Sequence, residues 1–343
     1  MPPTASENLE MTAMAATDPE INDIVAAIRA RGRFIISSHA RPDGDSLGSQ
    51  LAMAFALQEL GKDVTVVNAD PASPAFMAFP GVPAVKIAQA VDPAWGDFDA
   101  TIVMECSDYA RTGVADLNRF FTINIDHHPG NTGYGQINWF DSSAAACAEM
   151  VFDVVQALGV QMSIEIATHI YIAILTDTGS FHFSNLSPRT FDICRQLLEA
   201  GVDPVRVARQ VYDNATAGRL KLCGAVLSSM RVDPTDRIAV LYLDQAMADA
   251  AGAAYDDTDG VINQPLTVKE ILAVVFFKQS QDGPYRISLR SKGEVDIGAV
   301  AKAYGGGGHK NAAGCSASGP IDELRSVFVD KVTDAIDGRP ARH

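Results

Sequence analysis

Short apolar runs that hand over to acidic or imidazole groups recur along the first half of the chain. Phe34-Ile-Ile leads into His39-Ala-Arg-Pro-Asp43-Gly-Asp45, and Thr101-Ile-Val-Met leads toward Asp108. The run from Phe121 to Ile125 leads into Asp126-His127-His128, and Ile172-Ala-Ile-Leu leads toward Asp177. Apolar runs of this length read as buried strands where helical spacing is absent, and as helices where it is present. The pattern predicts strands at 33–38, 63–68, 100–105 and 121–125, with helices at 46–60 and 144–158. Strands and helices that alternate in this way argue for a parallel sheet flanked by helices. Sites in such sheets form beyond the carboxyl ends of strands, which is where these Asp and His residues fall.

From 164 to 230 the pattern is almost wholly helical, with breaks at 177–188 and 201–204. Val232-Asp-Pro-Thr-Asp236 reads as a hinge. Strands follow at 238–243, 271–278 and 285–290, then helices at 296–304 and 323–336. The expected class is α/β: a parallel-sheet domain over 19–195, a helical connector over 196–231, and a smaller α/β domain over 232–338. Residues 1–18 are short of large apolar groups and are expected to be disordered. At 343 residues, two domains are the natural division.

Composition narrows the partners. Hydrophobic residues make up 47% and charged ones 20%, as in ordinary soluble proteins. The run from Ile271 to Phe277 is too short to span a bilayer, and no secretory signal precedes the first helix. Membrane association is therefore not expected. Five scattered cysteines without a Cys-x-x-Cys pair suit a reducing cytoplasm and argue against a cysteine zinc site. The net charge of −15 argues against a grip on long nucleic acid. It does not argue against a small phosphorylated substrate, because some of the acidity would cluster around cations.

That clustering is the chemical signal. Carboxylates take hard divalent cations, and added imidazole shifts the preference toward Mn²⁺, Fe²⁺ or Zn²⁺. Four such segments read as a centre with two ions. His39 and Asp43 have helical spacing, but Pro42 disfavours helix at Arg41, so this segment is read as a loop. Asp-Gly-Asp-Ser also reads as a turn and helix cap. Gly305-Gly-Gly-Gly308 reads either as a helix C-cap with a linker or as an amide nest for an anion. It is not a P-loop, since Asn311 follows Lys310. His309 and Lys310, with Arg290 and Lys292 upstream, favour the anion reading. His169 is read as a core histidine. Arg111 and His182 stay open between substrate contact and structural roles.

These segments resemble the successive motifs of the DHH phosphoesterase family: His39/Asp43/Asp45, Asp108, Asp126-His127-His128 and Asp177. Gly305-Gly-Gly-Gly-His309-Lys-Asn-Ala-Ala-Gly314 is similar to the signature of its DHH-associated domain, so the resemblance spans roughly residues 20 to 338. The stretch Thr176-Asp-Thr-Gly-Ser-Phe-His-Phe-Ser-Asn185 is similar to the nanoRNase/pAp phosphatase branch. The resemblance implies hydrolysis of very short RNA oligonucleotides to mononucleotides and of 3′-phosphoadenosine 5′-phosphate (pAp) to AMP. Cyclic di-AMP or a linear dinucleotide is the alternative substrate, and a nucleotide-sensing module is the non-enzymatic alternative. The implied cofactor is two divalent ions, with Mn²⁺ expected. The first would take His39, Asp43 and Asp108, and the second Asp45, Asp108, His127 and Asp177, with Asp108 as the bridge. His128 would meet the scissile phosphate while Asp126 orients an imidazole. Arg290, Gly305, Gly306, Gly307, Gly308 and His309 would hold the rest of the nucleotide across a cleft between the domains. A homodimer is left open, since related proteins often pair through the first domain.

Overall fold

The computed structural model describes residues 19–339 apart from 184, 259 and 281–282. The expectation for 1–18 therefore lies outside the described residues. The chain divides into two compact units, with the division after Asn214.

The first unit opens with helix α1 (Pro19–Arg29), strand β1 (Arg33–Ser37), helix α2 (Gly44–Glu59) and strand β2 (Asp63–Asn68). Strands β3 (Lys86–Ile87), β4 (Ala100–Met104), β5 (Phe121–Asp126) and β6 (Ile137–Phe140) complete a sheet in the order β3-β2-β1-β4-β5-β6. Every pairing in it is parallel. β1 lies between β2 and β4, so the strand order reverses there. Crevices outside the carboxyl ends at such a reversal are where ligands bind in open sheets. Ser37 pairs with Val103, and Met104 with Ile125, so the ends of β1, β4 and β5 are level with one another.

Helices α3 (Cys147–Leu158), α4 (Ile164–Asp177), α5 (Pro188–Glu199) and α6 (Pro204–Tyr212) complete this unit. α2 is buried on nearly every side, which explains why its sequence lacks a polar stripe. Its contact with α4 depends on glycine: a Cβ at Gly48 would meet the His169 carbonyl oxygen at 2.4 Å, and one at Gly44 would meet Thr176 Oγ1 at 2.3 Å. This close approach brings the start of α2, with Asp45, beside the end of α4, with Asp177.

The second unit contains α7 (Ala217–Ser228), β7 (Arg231–Val232), β8 (Ile238–Leu243), α8 (Gln245–Ala251), β9 (Ala273–Lys278), β10 (Tyr285–Ser291), α9 (Ile297–Lys302), β11 (Gly307–His309), β12 (Ala312–Ala317) and α10 (Ile321–Ile336). Its six strands run in the order β11-β12-β10-β9-β8-β7, with β8 and β9 parallel and the other pairs antiparallel. β9 is apolar from Ala273 to Phe277 because both faces are covered there. Val275 and Phe277 pack with Phe328 and Val332 of α10, while Val274 and Phe276 pack with Leu222 and Val226 of α7. Val207 and Val211 of α6 belong to the core of the first unit, and Leu222 and Val226 of α7 to the second, so residues 196–231 do not form a separate connector. No helix among the described residues is long and apolar enough to cross a membrane.

Candidate metal centre

His39 and His127 follow strand ends, whereas Asp45 lies in the first turn of α2 and Asp177 ends α4. After β1 the chain turns through Arg41, which takes a left-handed φ of 55°, and enters α2 at Asp43. Asp43 Oδ1 accepts from the Ser46 amide at 3.0 Å, while the Asp43 amide donates to Ser46 Oγ at 3.1 Å. The helix-cap reading of this residue is thus realised, and it coexists with a ligand role because Oδ2 stays free of the cap. That oxygen lies 3.6 Å from His39 Nε2. His39 Nδ1 lies 2.9 Å from the Ala40 carbonyl oxygen. A carbonyl only accepts, so Nδ1 carries a proton, and in the neutral ring Nε2 keeps its lone pair.

His127 is prepared in the same way. Its Nδ1 donates to the Ala144 carbonyl at 3.0 Å. Its Nε2 faces Glu105 Oε1 at 2.8 Å, Asp177 Oδ2 at 3.6 Å and Asp45 Oδ2 at 3.8 Å. The approach to Glu105 is off the hydrogen-bond direction, and Oε1 is buried without a hydrogen-bond partner. Asp45 is wholly inside the protein. It accepts from the amides of Cys147 and Ala148 at the start of α3, at 2.6 and 3.2 Å, and from Ser49 Oγ at 2.7 Å.

Electrostatics show how crowded this spot is. Burial pushes Asp45 well above the usual carboxylate range, with Glu105 and Asp177 adding to it. Burial also raises Asp177 to about 6 despite His127 nearby. Glu105 goes the other way: the two imidazoles overcome its burial and hold it low. His127 is raised to about 10, its burial being outweighed by the contact with Glu105. Three carboxylates facing one imidazole nitrogen need a proton or a cation between them. A divalent cation suits the donor set, which is oxygen with one tautomer-fixed imidazole nitrogen. Asp45, His127 and Asp177 offer ligand atoms within 4.8 Å of one another, as do Glu105, His127 and His128.

His128 is held differently. Its Nδ1 lies 3.0 Å from both Asp126 Oδ1 and Glu105 Oε2. Those contacts raise it to about 9, Asp126 contributing most. Asp126 is fully buried, and its other oxygen accepts from Asn131 Nδ2 at 2.7 Å. Asp126 therefore positions His128 through Nδ1. Asn131 carried no sequence signal of its own.

Asp108, the expected bridge, is not among the converging side chains. Asp108 stays outside both ligand groups, and its carboxylate caps the 3-10 turn Tyr109–Thr112 by accepting from the Ala110 amide at 2.8 Å. Glu105 occupies the inward position instead. It follows β4 directly and has a left-handed φ of 59° that turns its side chain toward His127. The signal was in the sequence, since Glu105 and not Asp108 ends the run Thr101-Ile-Val-Met.

In the second unit the expected amide nest is not formed. The Gly305 and Gly306 amides donate to Lys302 and Ala301 at the end of α9, and Gly307–His309 pairs with β12. Glycine is required at 306 for close approach, because a Cβ would lie 2.1 Å from the Gly314 carbonyl oxygen. Gly308 is likewise enclosed by Ala312 and Ala313, while Gly305 and Gly307 have open space around them. The side chain of His309 lies outside the described residues. Arg290 is half-buried and donates to the Leu289 carbonyl at 2.9 Å. Lys310 pairs with Glu294, and Lys292 donates to the Val268 carbonyl, so these two amines are engaged locally. His169 is buried in α4 and bonds the Glu165 carbonyl, as a core histidine.

Comparison with known proteins bears on these residues. Residues 33–174 match the DHH family, N-terminal domain, and residues 235–337 match the DHHA1 domain. The bifunctional oligoribonuclease and PAP phosphatase NrnA of Thermus thermophilus is 34% identical over 307 residues, covering 89% of this chain and 90% of that protein. The Bacillus subtilis protein of the same description is 26% identical over 319 residues, covering 91% and 97%. Among solved structures, an exopolyphosphatase-related protein from Bacteroides fragilis superposes with a TM-score of 0.85 at 25% identity, covering 94% of this chain and 98% of that one.

Proposed function

The chain belongs to the DHH family, and from that premise we propose that it is a metal-dependent phosphoesterase. Its substrates are very short oligoribonucleotides, which it hydrolyses to mononucleotides, and pAp, which it converts to AMP. The observation that carries this reading is His127: one nitrogen tied to a backbone carbonyl and the other aimed at Glu105, Asp45 and Asp177. The relatives described as oligoribonuclease and PAP phosphatase support the choice of substrates.

Two divalent ions, most simply Mn²⁺ given the imidazole donors, would be held by His39, Asp43, Asp45, His127 and Asp177, with Glu105 shared in place of Asp108. When bound they supply positive charge and Lewis acidity to a phosphate and its attacking water. The protein's own groups do the rest. Asp45 is fixed by the first amides of α3, so its free direction is toward His127. Asp126 and Glu105 keep His128 protonated at neutral pH, with Nε2 free to donate to the leaving oxygen. Phosphate-ester hydrolysis is among the slowest uncatalysed reactions, and pre-set charges of this kind are the means of accelerating it.

The test is a product assay with Mn²⁺ and with Mg²⁺ over pAp, RNAs of two to five nucleotides, a longer RNA and cyclic di-AMP. The proposal expects AMP from pAp and mononucleotides from the short RNAs, faster with Mn²⁺. Intact ligands throughout would identify a sensing module instead. Turnover confined to cyclic di-AMP would replace the substrate.

A further inference from the structure

A cavity of about 570 Å³ lies beside the metal centre, lined by His39, Ala40, Arg41, Ala110 and Arg111. We propose that Arg41 and Arg111 form a clamp in this cavity for a second phosphate of the substrate, one that is not cleaved. The inference rests on the phosphoesterase reading above and adds a specificity to it.

Three observations carry it. Neither guanidinium has a carboxylate partner among the described residues, although the chain carries a net charge of −15. Two neighbouring acids are turned to backbone amides: Asp70 accepts from the Arg41 amide at 2.9 Å, and Asp108 accepts from the Ala110 amide at 2.8 Å. Second, the two arginines belong to one wall. The Ala40 amide donates to the Arg111 carbonyl at 2.7 Å, which ties the loop after β1 to the loop after β4. Third, both are pre-set. Arg111 spends one donor on Ser107 Oγ at 3.0 Å, leaving most of its five N–H groups free. Arg41 is held at a left-handed φ of 55°, a conformation that L side chains adopt at a cost and that tends to persist where function requires it.

Exposed arginines on most proteins only hydrate the surface. Here both open into the cavity that His39 also lines. Guanidinium groups match phosphate oxygens in paired, charge-assisted hydrogen bonds. A phosphate monoester one nucleoside away from the scissile group is the ligand that fits. Such a site favours substrates with a terminal phosphate over those ending in a hydroxyl.

The experiment compares kcat/KM in Mn²⁺ for the diadenylate ApA with and without a 5′-phosphate, using wild type, Arg41→Ala, Arg111→Ala and the double variant. Wild type is expected to prefer the phosphorylated dinucleotide. The ratio of the two efficiencies should fall about 10- to 100-fold in the double variant, the scale of hydrogen bonds to a charged group, and the change should appear in KM. An unchanged ratio overturns the clamp. So does an equal loss on both substrates, which would put the arginines on the cleaved phosphate. Failure of wild type to cleave either dinucleotide would instead overturn the phosphoesterase reading beneath it.

Discussion

Glu105 and Asp108 differ by three positions and by everything that matters to the chemistry. Glu105 is buried between two imidazoles, while Asp108 is exposed and spends its carboxylate on a turn. Removing an outer partner of a metal ligand typically costs about 10- to 100-fold, and a shared ligand costs more. Glu105→Gln is therefore expected to lower kcat/KM on a dinucleotide by more than about 100-fold, with Asp108→Asn staying within a few-fold. Near-normal turnover by Glu105→Gln would remove it from the centre. His169 offers a second test, of stability. Burial holds its imidazole down at about 4, against 6.5 when free. A group depressed in this way stabilises the fold fully above pH 6.5, and that stability drains as pH falls toward 4. The full effect is of order 3 kcal/mol. In His169→Gln the loss of unfolding free energy between pH 7 and pH 5 should shrink by roughly 1–2 kcal/mol, read from urea midpoints. An unaltered slope would mean the ring is not held neutral. Of the residues read from the ends of apolar runs, Asp45, His127 and Asp177 converge in one group. Glu105 was missed although it directly follows the apolar run, because as the last position of an expected strand it was read as part of the sheet; its positive φ turns it inward.

At the scale of elements, the α2–α4 contact aligns Asp45 with Asp177, and Gly48 permits it. Alanine at 48 would gain about 1 kcal/mol of helix propensity. It would also put a methyl 2.4 Å from a backbone oxygen that cannot step aside, and overpacking of this kind costs about 1–3 kcal/mol. Steric cost wins, so Gly48→Ala should lower the denaturation midpoint and reduce activity together. A stabilised variant would show that the helices can part freely. Strands β1, β2, β4, β5, β8, β9 and β10 were legible from periodicity, β9 being apolar from Ala273 to Phe277, whereas β3, β6, β7, β11 and β12 were not anticipated. Nor was the glycine run legible. Four glycines read as a loop, and the pairing of Gly307–His309 with β12 is a long-range contact that local composition does not encode.

Across the whole molecule, charge decides what can be bound. At −15, the chain is expected to gain little of the counterion-release affinity that long-polymer binders use. Each added nucleotide brings a phosphate that must find a basic partner or face an acidic surface. The central claim is a metal centre built around Glu105 and His127 that hydrolyses very short RNA. The measurement that tests it most directly is kcat/KM in Mn²⁺ against RNA length, from two to twenty nucleotides, repeated in excess chelator. The account predicts efficient release of mononucleotides from two- and three-mers, a steep fall beyond about five nucleotides, and no turnover in chelator. Equal efficiency on two-mers and twenty-mers, or full activity in chelator, would contradict it.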